Sequence, residues 1–206
     1  MDIRYSSRVA EVIESTTTQF IAECYELYGL PPFGALVKTA APPLEIFGVV
    51  AQAGTAGVEP GRRPIARGKD EASEEAVYQS NPQLVQLLRS EFTVLVIGHT
   101  QDGEVRQYLP PKPARIHAFV HAATPGEVKQ FSGSFDFLSL LVRASVQTPP
   151  EELIAAVLRE MGRVQPDPHA FLVAAGKELT AFLANDYQRL RAVLGKIRYG
   201  TPSSKH

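Results

Sequence analysis

Residues 45–53 read Glu-Ile-Phe-Gly-Val-Val-Ala-Gln-Ala (EIFGVVAQA), and the reading of this stretch decides the fold. The run is short, rich in β-branched and aromatic residues, and set off from a similar run at Ala35–Thr39 by Ala41-Pro42-Pro43, so it predicts a strand. Gly48 would weaken a flat strand at its middle. It fits the bulge or tight bend with which a small barrel turns a corner.

Working outward, the preceding chain keeps the same style. Val9–Glu14 alternates imperfectly and predicts a strand partly buried on both faces. Residues 15–18, Ser-Thr-Thr-Thr, turn the chain, and Gln19–Tyr25 (QFIAECY) predicts its hairpin partner with Phe20, Ala22 and Cys24 on one side. Short strands with Pro and Gly punctuation predict a small barrel or sandwich, and closure would hide the edges. Downstream, Glu91–His99 (EFTVLVIGH) returns to strand, Gln101-Asp102-Gly103 predicts a hairpin turn, Glu104–Leu109 pairs back, and Ile116–Val120 is the expected closing strand. Between these halves lies a helical interlude, Glu71–Gln79 and then Gln83–Ser90, the second with Asn81 as N-cap and Pro82 at its first position.

From Thr124 the hydrophobic period becomes helical. Pro125–Phe131, Phe135–Ala144, Pro150–Met161, Pro168–Leu183 and Asn185–Ile197 carry apolar residues at three and four spacing, predicting a bundle of about four or five helices. The expected class is α+β: a small N-terminal antiparallel β-barrel over 1–123 with a helical insertion at about 70–90, a C-terminal helical domain over 124–200, and a tail at 201–206.

Composition narrows the function classes. Hydrophobic residues make up 44% and charged residues 21% of 206 residues, with no Trp, as in an ordinary globular protein. The single cysteine, Cys24, sits in an apolar strand and leaves no disulfide framework or thiolate zinc cluster within one chain. No apolar run approaches the ~20 residues of a membrane span and the start lacks the order of a secretory signal, so the expected setting is cytoplasmic. A net charge of −1 argues against a surface built wholly for nucleic acid. Local asymmetry remains in a basic C-terminal stretch with Arg189, Arg191, Lys196, Arg198 and Lys205.

The most basic segment is GRRPIARGKD, residues 61–70. It is no phosphate loop: six residues separate Gly61 from Gly68, Pro64 removes a backbone amide, and Asp70 stands where a magnesium-binding hydroxyl belongs. Two roles remain for Arg62, Arg63, Arg67 and Lys69. They can pair with Asp70, Glu71, Glu74 and Glu75 at the following helix start, or their guanidinium groups can capture carboxylate or phosphate on a partner. Elsewhere, His117 and His121 fall on one face of the predicted closing strand without carboxylates to complete a metal site. No serine or cysteine stands in a nucleophile motif. Glu74-Glu75 and Glu151-Glu152 are adjacent acids that suit helix starts. Phe20, Tyr25, Tyr28 and Phe33 sit among Glu11, Glu14, Glu23 and Glu26, the wrong sign for stacking nucleic-acid bases; Tyr28, Phe33, Phe47 and Tyr108 read as core or interface aromatics.

Residues 8–54, RVAEVIESTTTQFIAECYEL, then PFGALVKT and LEIFGVVAQAG, resemble the HAS barrel at the N-terminus of HerA-type DNA-translocating ATPases and, in related form, of the catalytic-ring subunits of ATP synthase. The likeness lies in the first strand ending in Ser-Thr-Thr-Thr, the Gln19-Phe20 opening, Pro-Phe-Gly before Leu36-Val37, and Gly48-Val49-Val50; PPKPARIHAFVHAA resembles the proline-led closing strand of such barrels. It covers about half the chain. The ATPase core with its Walker motifs is missing, and a helical domain stands in its place, as in short bacterial proteins where this barrel occurs alone. The resemblance implies a collar-like module that binds neighbours rather than performing chemistry.

The leading expectation is therefore a non-catalytic, cofactor-free binding or assembly module that docks on a partner protein, such as a HerA-like ring ATPase in DNA processing, or self-associates. The alternatives are a nucleic-acid-binding protein using the arginine loop at 61–69 and the basic tail, and an enzyme or small-ligand protein of unrecognised type.

Overall fold

The computed structural model describes residues 8–59, 61 and 63–197. Its elements run β1 (Ala10–Ser15), β2 (Gln19–Cys24), β3 (Leu36–Ala41), β4 (Leu44–Gly57), α1 (Glu74–Ser80), α2 (Leu84–Leu87), β5 (Leu88–Gln101), β6 (Glu104–Arg106), β7 (Phe119–Ala122), α3 (Pro125–Phe131), α4 (Leu138–Val142), α5 (Pro150–Gly162), α6 (Pro168–Phe182) and α7 (Tyr187–Ile197).

Six strands close a ring. The order β2-β1-β7-β3-β4-β5 is antiparallel throughout, and β2 returns to pair with β5 from Gln19 opposite Leu95 to Glu23 opposite Glu91. Closure satisfies the backbone of both would-be edges. The sixth numbered strand, β6, is a short hairpin extension of β5, and its turn residues Asp102 and Gly103 have φ of 53° and 79°, the geometry that matches the twist of a two-residue hairpin.

Two apolar clusters explain why EIFGVVAQA does not alternate. Even-numbered residues of β4 and β5, among them Ile46, Val50, Phe92, Val94 and Val96, fill the barrel with Val12, Phe20, Val37 and Val120. Odd-numbered ones, including Phe47, Val49, Ala51, Leu95 and Ile97, face outward and are covered by Phe131, Leu138, Ile154 and Leu158 from the C-terminal helices. Burial on both faces thus belongs to β4 and β5. In β1, where the sequence also predicts it, Ala10 and Val12 are buried but Ile13 is exposed, because no helix among the described residues covers it. The pairing of β4 with β5 shifts register between Phe47 and Gly48. A Cβ on Gly48 would lie 2.4 Å from Val94 Cγ1 and 2.7 Å from the Leu95 carbonyl oxygen, so the close approach at this bulge requires glycine.

The C-terminal helices are anchored from both ends. Thr124 and Glu127 form a reciprocal capping box at the start of α3, and Lys38 Nζ bridges Glu45 (3.1 Å) and Glu127 (2.6 Å), tying α3 to β3 and β4. Helix α5 lies at the centre, burying Leu153, Ile154, Val157, Leu158 and Met161, with α4, α6 and α7 packed around it. Gly34, at φ 84°, passes so close to α5 that a Cβ would lie 2.6 Å from the Ala156 carbonyl carbon. The apolar cluster crosses the change from sheet to helix near residue 124 without a break.

Several boundaries differ from the sequence expectation. Helix α2 covers only Leu84–Leu87, because Leu88, Arg89 and Ser90 pair with Gly57, Ala56 and Thr55 and so extend β5. Asn81 caps the end of α1, its amide donating to the Val77 carbonyl, instead of starting α2. The closing strand begins at Phe119 rather than Ile116, since His117 adopts φ 67° in a turn. The tail at 201–206 and Arg198 lie outside the described residues.

Candidate functional site

Strands β4 and β5 outrun the barrel. They stay paired from Ile46 opposite His99 to Gly57 opposite Leu88, whereas β2 accompanies β5 only as far as Glu91. The projecting end is held by a buried serine: Ser90 Oγ accepts from the Tyr28 backbone N–H (2.9 Å) and shares a 2.7 Å hydrogen bond with Thr55 Oγ1. From this end the chain leaves as an insertion, closed at its base by Val58 N–H donating to the Leu87 carbonyl (2.9 Å).

Local chemistry starts the first helix of the insertion. Ser73 Oγ accepts from Ala76 N–H to cap α1, and Glu74 and Glu75 occupy its first turn where the helix dipole favours carboxylates. Hydrogen bonds from its own backbone N–H and from the Ser73 side chain hold the Glu75 carboxyl below its ordinary pKa. Tertiary contact is sparse. Tyr78 hydrogen-bonds and stacks edge-on with Tyr28, ring centroids 6.5 Å apart, which tethers α1 to the loop after β2. Neither α1 nor α2 contains a buried residue.

Between these helices and the ribbon runs the arginine segment. Residues 63–68 have no regular secondary structure, and Arg63, Ile65 and Arg67 line one solvent-open groove with Val58, Leu84 and Leu87. Ile65 is 75% exposed, and Val58, Val85 and Leu87 are exposed as well. Arg67 reaches Asn81 Oδ1 at 3.4 Å, a long contact. Among the described residues, no ion pair joins Arg63, Arg67 or Lys69 to Asp70, Glu71, Glu74 or Glu75. Arg62 lies outside the described residues.

The basic C-terminal stretch is used differently. Arg189 pairs with Glu151 and donates to the Val142 carbonyl, while Lys196 Nζ sits 2.6 Å from Glu152 Oε1. The adjacent acids at the start of α5 each hold a different cation of α7. The Arg189 hydrogen bond holds the Glu151 carboxyl below its ordinary pKa. Two of the cations offered by sequence for nucleic acid are therefore occupied inside the fold.

On the uncovered barrel wall a second polar group forms, which the sequence does not reveal. Glu11 accepts from Tyr25 Oη (3.0 Å) and pairs with His117 Nδ1, and the Arg8 guanidinium lies 4.5 Å from the centre of the Phe119 ring. The hydrogen bonds from His117 and then Tyr25 hold the Glu11 carboxyl below its ordinary pKa. The partners are 106 residues apart in sequence, and only barrel closure through β1 and β7 brings them together. His117 does not share a strand face with His121, which lies opposite Lys38 in β7. Cys24 is half-buried, and desolvation, helped by Glu23, pushes its thiol up to about 11, away from the reactive thiolate. Phe47 is core, whereas Tyr28 and Tyr108 are more than half exposed. Among the described residues no group of three or more His, Cys, Asp or Glu side chains is placed to hold a metal ion. No helix among them is long and apolar enough to cross a membrane. The chain matches no protein-family model, and no curated protein is similar to it in sequence.

Proposed function

We propose that the protein is a non-catalytic binding or assembly module, in which a HAS-type barrel and a C-terminal helical bundle form the rigid body and the insertion between β4 and β5 is the docking element. One observation carries this reading: α1 and α2 bury none of their residues, yet the insertion presents Val58, Ile65, Val85 and Leu87 to solvent beside Arg63 and Arg67. Apolar side chains gathered on an exposed arm and rimmed by charge are characteristic of surfaces that meet another protein. The resemblance to the barrels of HerA-type ATPases supports docking on a neighbouring protein, a ring ATPase of that kind or another copy of the chain. Nucleic acid is disfavoured by the four carboxylates that follow the cations directly, since phosphate binding depends on a net excess of positive charge.

The test combines solution mass with affinity capture from lysate, wild type against Ile65→Asp with Leu87→Asp. The expected result is self-association or a retained partner that the double variant loses while its melting temperature is unchanged. A strict monomer that retains no protein overturns the reading. A salt-sensitive shift of DNA or RNA probes, abolished by Arg63→Glu with Arg67→Glu, would replace it with nucleic-acid binding.

A further inference from the structure

Charge on the insertion is arranged in two consecutive blocks. Arg63, Arg67 and Lys69 are exposed, and they are followed directly by Asp70, Glu71, Glu74 and Glu75, of which only Glu71 is partly covered. The two blocks stand side by side without pairing among the described residues, and the exposed apolar side chains of Ile65 and Leu87 belong to the same arm. A polyanion would be repelled by the carboxylates, and a polycation by the arginines. The surface that satisfies both blocks carries the same two in the opposite order, which a two-fold axis supplies when it sets a patch against its own copy.

We infer that the insertion is a homodimerisation arm: two copies of the chain pair through it, the Arg63, Arg67 and Lys69 cations of each meeting the Asp70, Glu71, Glu74 and Glu75 carboxylates of the other, with Ile65 and Leu87 buried between them. This deepens the docking reading above and rests on it. Burial of Ile65 supplies the non-directional part of the association and the charge blocks supply its register, because a parallel alignment would set like charges together.

The experiment is analytical ultracentrifugation of the full chain. Wild type is expected to sediment as a dimer at low salt and to shift toward monomer at about 1 M salt, where the screening length falls to roughly 3 Å. The chain with Arg63→Glu and Arg67→Glu and the chain with Glu74→Lys and Glu75→Lys should each be monomeric alone, since each sets like charges across the axis. Their equimolar mixture should recover the dimer, because the substituted positions of each chain then face opposite charge at the substituted or native positions of the other, with only Lys69, Asp70 and Glu71 left unmatched on one side. A wild type that is monomeric at every concentration overturns the inference, as does a dimer that both charge variants retain alone or a mixture that stays monomeric. Circular dichroism melts of the two variants confirm that they are folded. If wild type is monomeric but still retains another protein through Ile65 and Leu87, the homodimer falls and the docking module stands; if it retains none, both fall.

Discussion

The protein builds helices in two places, and they differ in what they are given to pack against. In α5, the first turn carries Glu151 and Glu152, Pro150 stands at the start, and the apolar side chains meet the outer wall of the barrel, so Leu153, Ile154, Val157, Leu158 and Met161 are fully covered. In α1, the Ser73 cap and the acidic first turn of Glu74 and Glu75 are just as favourable, whereas α2 has neither, and no residue of either helix is buried. Local sequence is sufficient to start a helix in α5 and in α1. Only the first has a surface to bury against, which is where most helical stability in proteins arises.

The contrast is broken most sharply by truncating one apolar side chain in each region. Ile154→Ala should cost roughly 2–5 kcal/mol, the range for emptying a close-packed site, whereas Leu87→Ala should change the stability of the single chain by no more than about 0.5 kcal/mol. Urea denaturation of both variants under conditions where the chain is monomeric measures the difference. Equal costs would mean that the insertion has a core of its own.

Caps sharpen the same contrast at a smaller scale. Thr124→Ala removes one half of a capping box on a helix packed against the barrel, and should lower global stability by about 1 kcal/mol. Ser73→Ala removes an equivalent bond from α1, but should appear as faster amide exchange at Ala76 and Val77 with the global unfolding midpoint unmoved.

The smallest effect is electrostatic. The Arg189 hydrogen bond depresses the folded pKa of Glu151 below its unfolded value, so the stability it contributes is present above the ordinary carboxylate range, about 4.3, and is lost as pH falls through the lower folded value. The pair is partly exposed, so the change should stay below about 1 kcal/mol. Thermal melts between neutral pH and acid should show a shallower decline for Glu151→Gln than for wild type.

Much of the architecture was legible because it rests on short-range rules. The strand at 45–53, the bulge at Gly48, the Asp102-Gly103 turn and the start of α3 at Thr124-Pro125 all follow from local sequence chemistry. The failures share a cause. Leu88–Ser90 has helix-compatible composition and becomes strand because Thr55, Ala56 and Gly57 offer a ladder there. Asn81 looks like a start signal and acts as a stop, because its side chain finds the carbonyl of Val77 behind it. The site was legible in part: the arginine segment was visible as a basic run, but whether its charges were used internally was not. The basic stretch of α7 looked equally available and is consumed by Glu151 and Glu152.

By itself, the sequence determined that this chain forms an antiparallel sheet with helices after residue 124, because hydrophobic period, turn residues and helix caps act over a few positions. Tertiary structure alone decided that β2 returns to β5 and seals the ring, that one barrel wall is covered and the other is left with Glu11, Tyr25 and His117, and that among the described residues Arg63, Arg67 and Lys69 form no ion pair with the four carboxylates that follow them. Those outcomes depend on which distant surfaces meet. Spacing along the chain carries no record of that, since ring closure joins residues as far apart as Glu11 and His117 by geometry rather than by neighbouring sequence.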